Sequence, residues 1–108
     1  MRIEVNTSKP KSLFNLIHKD IKDGERRTWV FVYDSSEHEF ITHKPDQYFS
    51  KALISNRFES KKLIFELTWF SDHDEPNEYT KGFFMGRFSE MLLGRYASEF
   101  ENLQIFPR

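Results

Sequence analysis

The chain contains no cysteine. Disulfide bridges, thiolate nucleophiles and cysteine-based zinc sites are therefore excluded. It also lacks any run of about 18 apolar residues, and no apolar signal segment follows Met1. Both absences argue against secretion and membrane insertion, so a cytoplasmic protein is expected. A surplus of one charge is missing too: 16 Lys and Arg stand against 17 Asp and Glu, for a formal charge of −1. That balance draws the molecule as a whole neither to nucleic acid nor to an anionic membrane face. Residues 1–27, with seven basic and four acidic side chains, are the one mildly positive stretch.

What the chain does have is rings. Its 108 residues are 17% aromatic, including twelve phenylalanines. Each buried ring removes a large apolar area from water, so a core can form even though 31% of the residues are charged. The length fits one compact domain over residues 1–108.

Alternation of Ile3 and Val5 with Arg2 and Glu4 predicts a short half-buried strand. Thr7 or Ser8 is the expected N-cap of a following helix, with Pro10 in its first turn. Leu13, Leu16, Ile17 and Ile21 would form the apolar stripe of that helix, and Gly24 its left-handed cap. Thr28 to Tyr33, rich in β-branched and aromatic residues, reads as a buried strand. Asp34 to Glu37 reads as a turn, and His38 to His43 as the returning arm of a hairpin. Pro45 to Phe49 is expected to make one helical turn. Leu53 to Phe58 and Lys62 to Phe70 form a second hairpin, with Leu63, Phe65, Leu67 and Trp69 on the core face. Ser71 to Asn77 is a loop, and Leu103 to Phe106 is a last strand stopped by Pro107.

The stretch Lys81 to Phe88, KGFFMGRF, partly matches the signature that places base-stacking rings on a strand of RNA-recognition domains. No turn signal follows it at strand length. Apolar residues recur instead at three- and four-residue steps through Tyr96, which predicts a helix. Gly82, Gly86 and Gly94 each cost such a helix about 1 kcal/mol relative to alanine. Lying multiples of four apart, they are expected on one flank, where a neighbouring backbone or ring could approach closely.

The order β-α-β-β-β-β-α-β predicts an α+β two-layer sandwich. Two helices would cover one face of a mostly antiparallel sheet of about five or six strands. The many rings on both strand faces leave room for a second copy of the chain over the open face.

Several residue sets could carry chemistry, and each has a plainer reading. His38 and His43, five apart on a regular strand, would point to opposite faces and could not chelate one ion. His18 reads as a boundary residue of the first helix. Asp72-His73-Asp74-Glu75, with Glu78, is the densest donor cluster. Its spacing matches neither a calcium loop nor a paired-histidine zinc helix, and a solvated acidic loop complementing a helix dipole explains it more simply. Asp34, Ser35, Ser36 and His38 have the residue types of an acid–base site, but turn formation accounts for them. Arg26 and Arg27 beside Trp29, together with Lys61, Lys62 and Arg57, could pair phosphate contacts with ring stacking, or could simply be solubilising charges.

Glu4 to Pro10 (EVNTSKP), the Thr28-Trp29 strand leading to an aspartate turn, Thr42 to Gln47 and Gly86 to Leu93 (GRFSEMLL) resemble a group of small uncharacterised bacterial proteins over nearly the full length. The resemblance implies a shared compact α+β domain and supplies no activity, cofactor or catalytic residue. Where that group tends to have an aspartate-glycine turn, this chain has Ser35-Ser36-Glu37-His38.

The expected function is that of a non-enzymatic interaction module binding a protein partner or a second copy of itself. No cofactor, metal ligand or catalytic residue is assigned. The candidate binding residues are Arg26, Arg27, Trp29, Asp34, His38 and His43. The alternative is a nucleic-acid binder using Arg26, Arg27, Trp29 and Lys61.

Overall fold

Residues 1–45 and 49–108 are described by the structure, a computed structural model. The chain runs β1 (Arg2–Asn6), α1 (Pro10–Lys22), β2 (Trp29–Tyr33), β3 (Glu39–His43), β4 (Leu53–Glu59), β5 (Lys62–Thr68), α2 (Glu78–Tyr96), a 3-10 turn (Ala97–Glu99) and β6 (Asn102–Phe106). Among the described residues the strands form one open sheet in the order β2-β3-β4-β5-β1-β6, and every neighbouring pair is antiparallel. The expected α+β architecture is the observed one. The centre of the helical turn expected over Pro45–Phe49 lies outside the described residues; at its ends, the Phe49 amide donates to the Pro45 carbonyl at 3.0 Å.

Register decides what each face carries. Ile3 pairs with Phe65, Val5 with Leu63, and Ile41 with Ile54. Side chains alternate across a strand, so these residues share one face. Both helices pack there: Leu13, Ile17 and Ile21 of α1 join Phe84, Met85, Phe88, Leu92 and Tyr96 of α2 in a single buried cluster with the strand residues. The rings of KGFFMGRF are therefore core side chains of a helix. Phe88 lies edge-on to Phe65, with centroids 4.8 Å apart.

The opposite face bears a ladder of charges. Glu4, almost buried, accepts from Arg2 at 2.8 Å and Lys62 at 3.0 Å. Those two bonds, Arg2 first, hold its carboxyl below the usual range. Arg57 bridges Glu59 and Glu66 alongside. These charges share the face with Val30, Val32, Phe40, Leu53 and Ile64, of which Leu53 and Ile64 are buried.

Local chemistry differs from expectation at three points. Lys9, with no side-chain cap bond, occupies the N-cap of α1, while the Thr7 hydroxyl two residues earlier donates to the Glu99 carbonyl at 2.9 Å and accepts the Lys9 amide at 3.3 Å. Leu16 leaves the apolar stripe and is exposed, while Phe14 packs against the core in contact with Phe58 and Phe65. Among the described residues the glycines of α2 meet no close neighbour: a Cβ built at Gly82, Gly86 or Gly94 has nothing within 4 Å. The expectation of intramolecular close approach is thereby overturned. Asn77 supplies the cap of α2, accepting the Thr80 amide at 2.8 Å.

Candidate functional site

The end of α1 shapes the first wall of a groove. Glu25 donates its amide to the Asp20 carbonyl and Gly24 to that of Ile21, the paired bonds of a Schellman motif, with Gly24 at φ +78. The chain then reverses, and the Trp29 amide closes the loop on the Arg26 carbonyl at 2.8 Å. This short connection displays Glu25, Arg26, Arg27 and Thr28 at the sheet end where β2 begins. The second wall is one flank of α2, carrying Phe83, Arg87, Glu90, Met91, Gly94 and Arg95. Trp29 and His43, cross-strand partners, complete the lining. The open groove has a volume of about 820 Å³, within the range of small-ligand sites.

Four arginines and two glutamates line this groove. The chain has seven arginines and nine lysines, yet no lysine lines it. The distinction matters because a guanidinium fork binds carboxylate or phosphate through two parallel hydrogen bonds, which an ammonium cannot do. Arg87 lies 3.4 Å from Glu90 and over the Phe83 ring at 5.1 Å. Arg26 sits over the Tyr96 ring at 5.8 Å, and its buried Nε has no hydrogen-bond acceptor among the described residues. Arg27 and Arg95 have no ion-pair partner among the described residues. His43 is held below the ordinary histidine range by burial and then by the charge of Arg87, which keeps it neutral at pH 7.

Of the expected binding residues, the structure brings together Arg26, Arg27, Trp29 and His43. Trp29 is not placed to stack on a base: it is 3% exposed, and its indole meets Phe84 and Phe88 edge-on at 5.5 and 5.1 Å. Asp34 and His38 lie beyond the other end of β2, with Asp34 about 17 Å from Trp29 at strand rise. There Asp34 organises the hairpin turn, accepting the Ser36 and His38 amides at 2.9 Å each and meeting the His38 ring at 3.1 Å. The His38 amide is the largest cause of the lowered Asp34 pKa. Lys61 belongs to that far end too, since β4 runs from Leu53 beside β5's Thr68 to Glu59 at the β4–β5 turn. It cannot share a surface with Arg26 and Arg27 as the nucleic-acid alternative supposed.

Sequence reading missed the α2 wall. Arg87 and Arg95 are eight residues apart, about 80° around a helix, which places them on neighbouring flanks. That spacing is legible, but their meeting with Arg26 and Arg27 requires knowing which face of α2 is buried. Also missed was a network in which His18 meets Glu39 at 2.7 Å and the Tyr33 hydroxyl donates to the same carboxylate at 2.9 Å. Lys22 donates to that hydroxyl at 3.2 Å. The His18 ring rests 4.5 Å from Phe31, as befits a boundary position.

In the acidic loop, His73 meets the Ser50 carbonyl at 3.2 Å and Glu75 pairs with Lys81. Among the described residues no group of three His, Asp or Glu side chains is gathered for a metal ion, and no helix is long and apolar enough to cross a membrane. No family of proteins, no curated protein and no solved structure matches this chain.

Proposed function

We propose that this protein is a binding module whose arginine groove receives a carboxylate-rich segment of a protein partner. One observation carries the reading: four guanidinium groups from two separate elements converge on a partly apolar groove that holds half as many carboxylates. Arginine clusters are a recurring way to hold acidic motifs, and an apolar lining lets neighbouring side chains of the motif add contact.

The test is a fluorescence-anisotropy titration with a labelled poly-glutamate peptide at low salt, beside a poly-lysine control. Binding of the acidic probe alone is expected. Affinity should fall by about tenfold or more in an Arg27→Gln/Arg95→Gln variant. Equal affinity of wild type and variant would remove the groove from the account.

Single-stranded nucleic acid is the second reading, favoured by the partly exposed Phe83 ring beside Arg87. It is weakened by the burial of Trp29 and the distance of Lys61. A labelled RNA oligonucleotide in the same titration decides: binding tighter than the peptide, with a steep salt dependence, would replace the first reading by the second.

A further inference from the structure

One edge of the sheet carries none of the usual guards. Edge strands are blunted by charged residues, proline or a bulge. The outer strand β6 interrupts its apolar residues with Asn102 and Gln104 and is stopped by Pro107. The other outer strand, β2, reads Trp-Val-Phe-Val-Tyr, with no charge, proline or glycine, and pairs with β3 along its whole length without a bulge. Register shows which of its main-chain groups are left over. The Lys44 amide donates to the Thr28 carbonyl and the Asp34 amide to the His38 carbonyl, so Thr28 and Asp34 turn their main-chain groups toward β3 and its flanks. Such pairs alternate along an antiparallel ladder, which gives Val30 and Val32 the same direction and points Trp29, Phe31 and Tyr33 outward. The Trp29 amide is taken by the Arg26 carbonyl. The amides and carbonyls of Phe31 and Tyr33, and the carbonyl of Trp29, have no main-chain partner among the described residues.

We infer that an extended segment of the acidic partner adds to this edge as a further strand, antiparallel to β2, and passes its C-terminal end into the arginine groove. The carboxylates rest on the groove reading above; the strand pairing goes beyond it. Thr28 and Trp29 line the groove and lead directly into β2, so edge and groove are continuous. Every neighbouring pair in the sheet is antiparallel, and antiparallel pairing is the more stable kind per residue. In that direction the C-terminal end of the segment lies at Trp29. Two or three residues further on, about 7–10 Å at strand rise, it comes within side-chain reach of Arg26 and Arg27. The segment is thus β-branched or apolar over about four residues, beside Val30 and Val32 on one face and Phe31 and Tyr33 on the other, and carboxylate-rich just after them. A second copy of β2 is the poorer occupant. Paired antiparallel, it would bring its own β2–β3 turn to the arginines, where Asp34 is already engaged with the Ser36 and His38 amides and Glu37 is the one other carboxylate of the turn.

Fluorescence anisotropy at low salt with two labelled peptides of equal composition tests this: Thr-Val-Thr-Val-Thr followed by three glutamates, and the same residues with the glutamates first. Amide hydrogen exchange, followed by NMR on the full chain, reads the edge itself. The first peptide is expected to bind about tenfold or more tighter than the second. It should slow exchange at Phe31 and Tyr33 by about tenfold or more, whereas poly-glutamate, a poor strand former, should leave both unchanged. N-methylating alternate residues of the first peptide, in the two complementary patterns, should weaken binding strongly in one pattern and little in the other, since only alternate amides face β2. Equal affinity for the two orders, with no protection at Phe31 and Tyr33, overturns the inference. If Arg27→Gln/Arg95→Gln still weakens the acidic probes in that case, the groove reading stands alone; failure of every acidic peptide to bind removes both. A preference for the reversed order overturns the antiparallel placement. Protection of Phe31 and Tyr33 that rises with protein concentration in the absence of peptide gives the edge to a second copy and overturns the inference as well.

Discussion

Tyr96 shows how one side chain joins the two helices. Its ring is buried in the core, its hydroxyl donates to Asp20 of α1 at 2.7 Å, and Arg26 lies over its face. Burial first, then the bond to Asp20, pushes its pKa well above the ordinary tyrosine value. The unfolded chain therefore releases this proton near pH 10 while the folded chain keeps it. Stability must fall as pH rises above about 10, until the folded phenol also ionises. Denaturant melts at pH 9 and pH 11 should show this loss, and Tyr96→Phe should abolish that part of it. At neutral pH the same variant is expected to cost about 1.5–3 kcal/mol, the worth of a hydrogen bond to a charged group. Gly24 tests the backbone instead. At φ +78 it stands where a side chain is strained even though the surrounding space is open. Gly24→Ala should cost about 1 kcal/mol in thermal or denaturant melts.

At the scale of elements, α2 sets propensity against packing. Its buried side, from Phe84 to Tyr96, is fixed by the core. Its outward side has glycines that pack against none of the described residues. Under dilute conditions Gly82→Ala and Gly94→Ala should each therefore stabilise the fold by about 0.5–1 kcal/mol, read as raised denaturant midpoints at unchanged m-value. Destabilisation by either would mean that a neighbour does approach there. The helix itself was legible in sequence because three- and four-residue steps outlast any strand. The role of its glycines was not legible, since spacing names a flank without saying whether that flank faces protein or water. The same limit explains Leu16 and Phe14: an apolar stripe is some 100° wide, and only the placement of β4 and β5 decides which of its margins is covered. Thr7 falls two residues short of the cap position: its hydroxyl accepts the Lys9 amide and donates to Glu99, ninety-two positions away, a partner no local capping rule can anticipate.

At the scale of the molecule, a nearly neutral chain concentrates positive charge by topology. Arg26 and Arg27 enter from the α1–β2 connection, while Arg87 and Arg95 enter from a helix some sixty residues later. Half of this groove could be read from the sequence, because two arginines beside a tryptophan stand out locally. The other half could not, because the chain's formal charge of −1 hides any patch assembled from distant segments. If the groove binds anions, its occupant must stabilise the folded state, since the unfolded chain no longer holds the four guanidinium groups together. Poly-glutamate should accordingly raise the thermal midpoint of the wild type at low salt, by an amount that grows with the logarithm of peptide concentration. Added sodium chloride should erase the shift, because the guanidinium groups of Arg27 and Arg95 are open to screening. In Arg27→Gln/Arg95→Gln the shift should shrink to that of a poly-lysine control, while the midpoint without peptide stays near wild type, as expected for exposed cations outside any described ion pair. An equal shift in the variant would place the bound anion elsewhere on the surface, and a large fall in its unliganded midpoint would mark the arginines as structural.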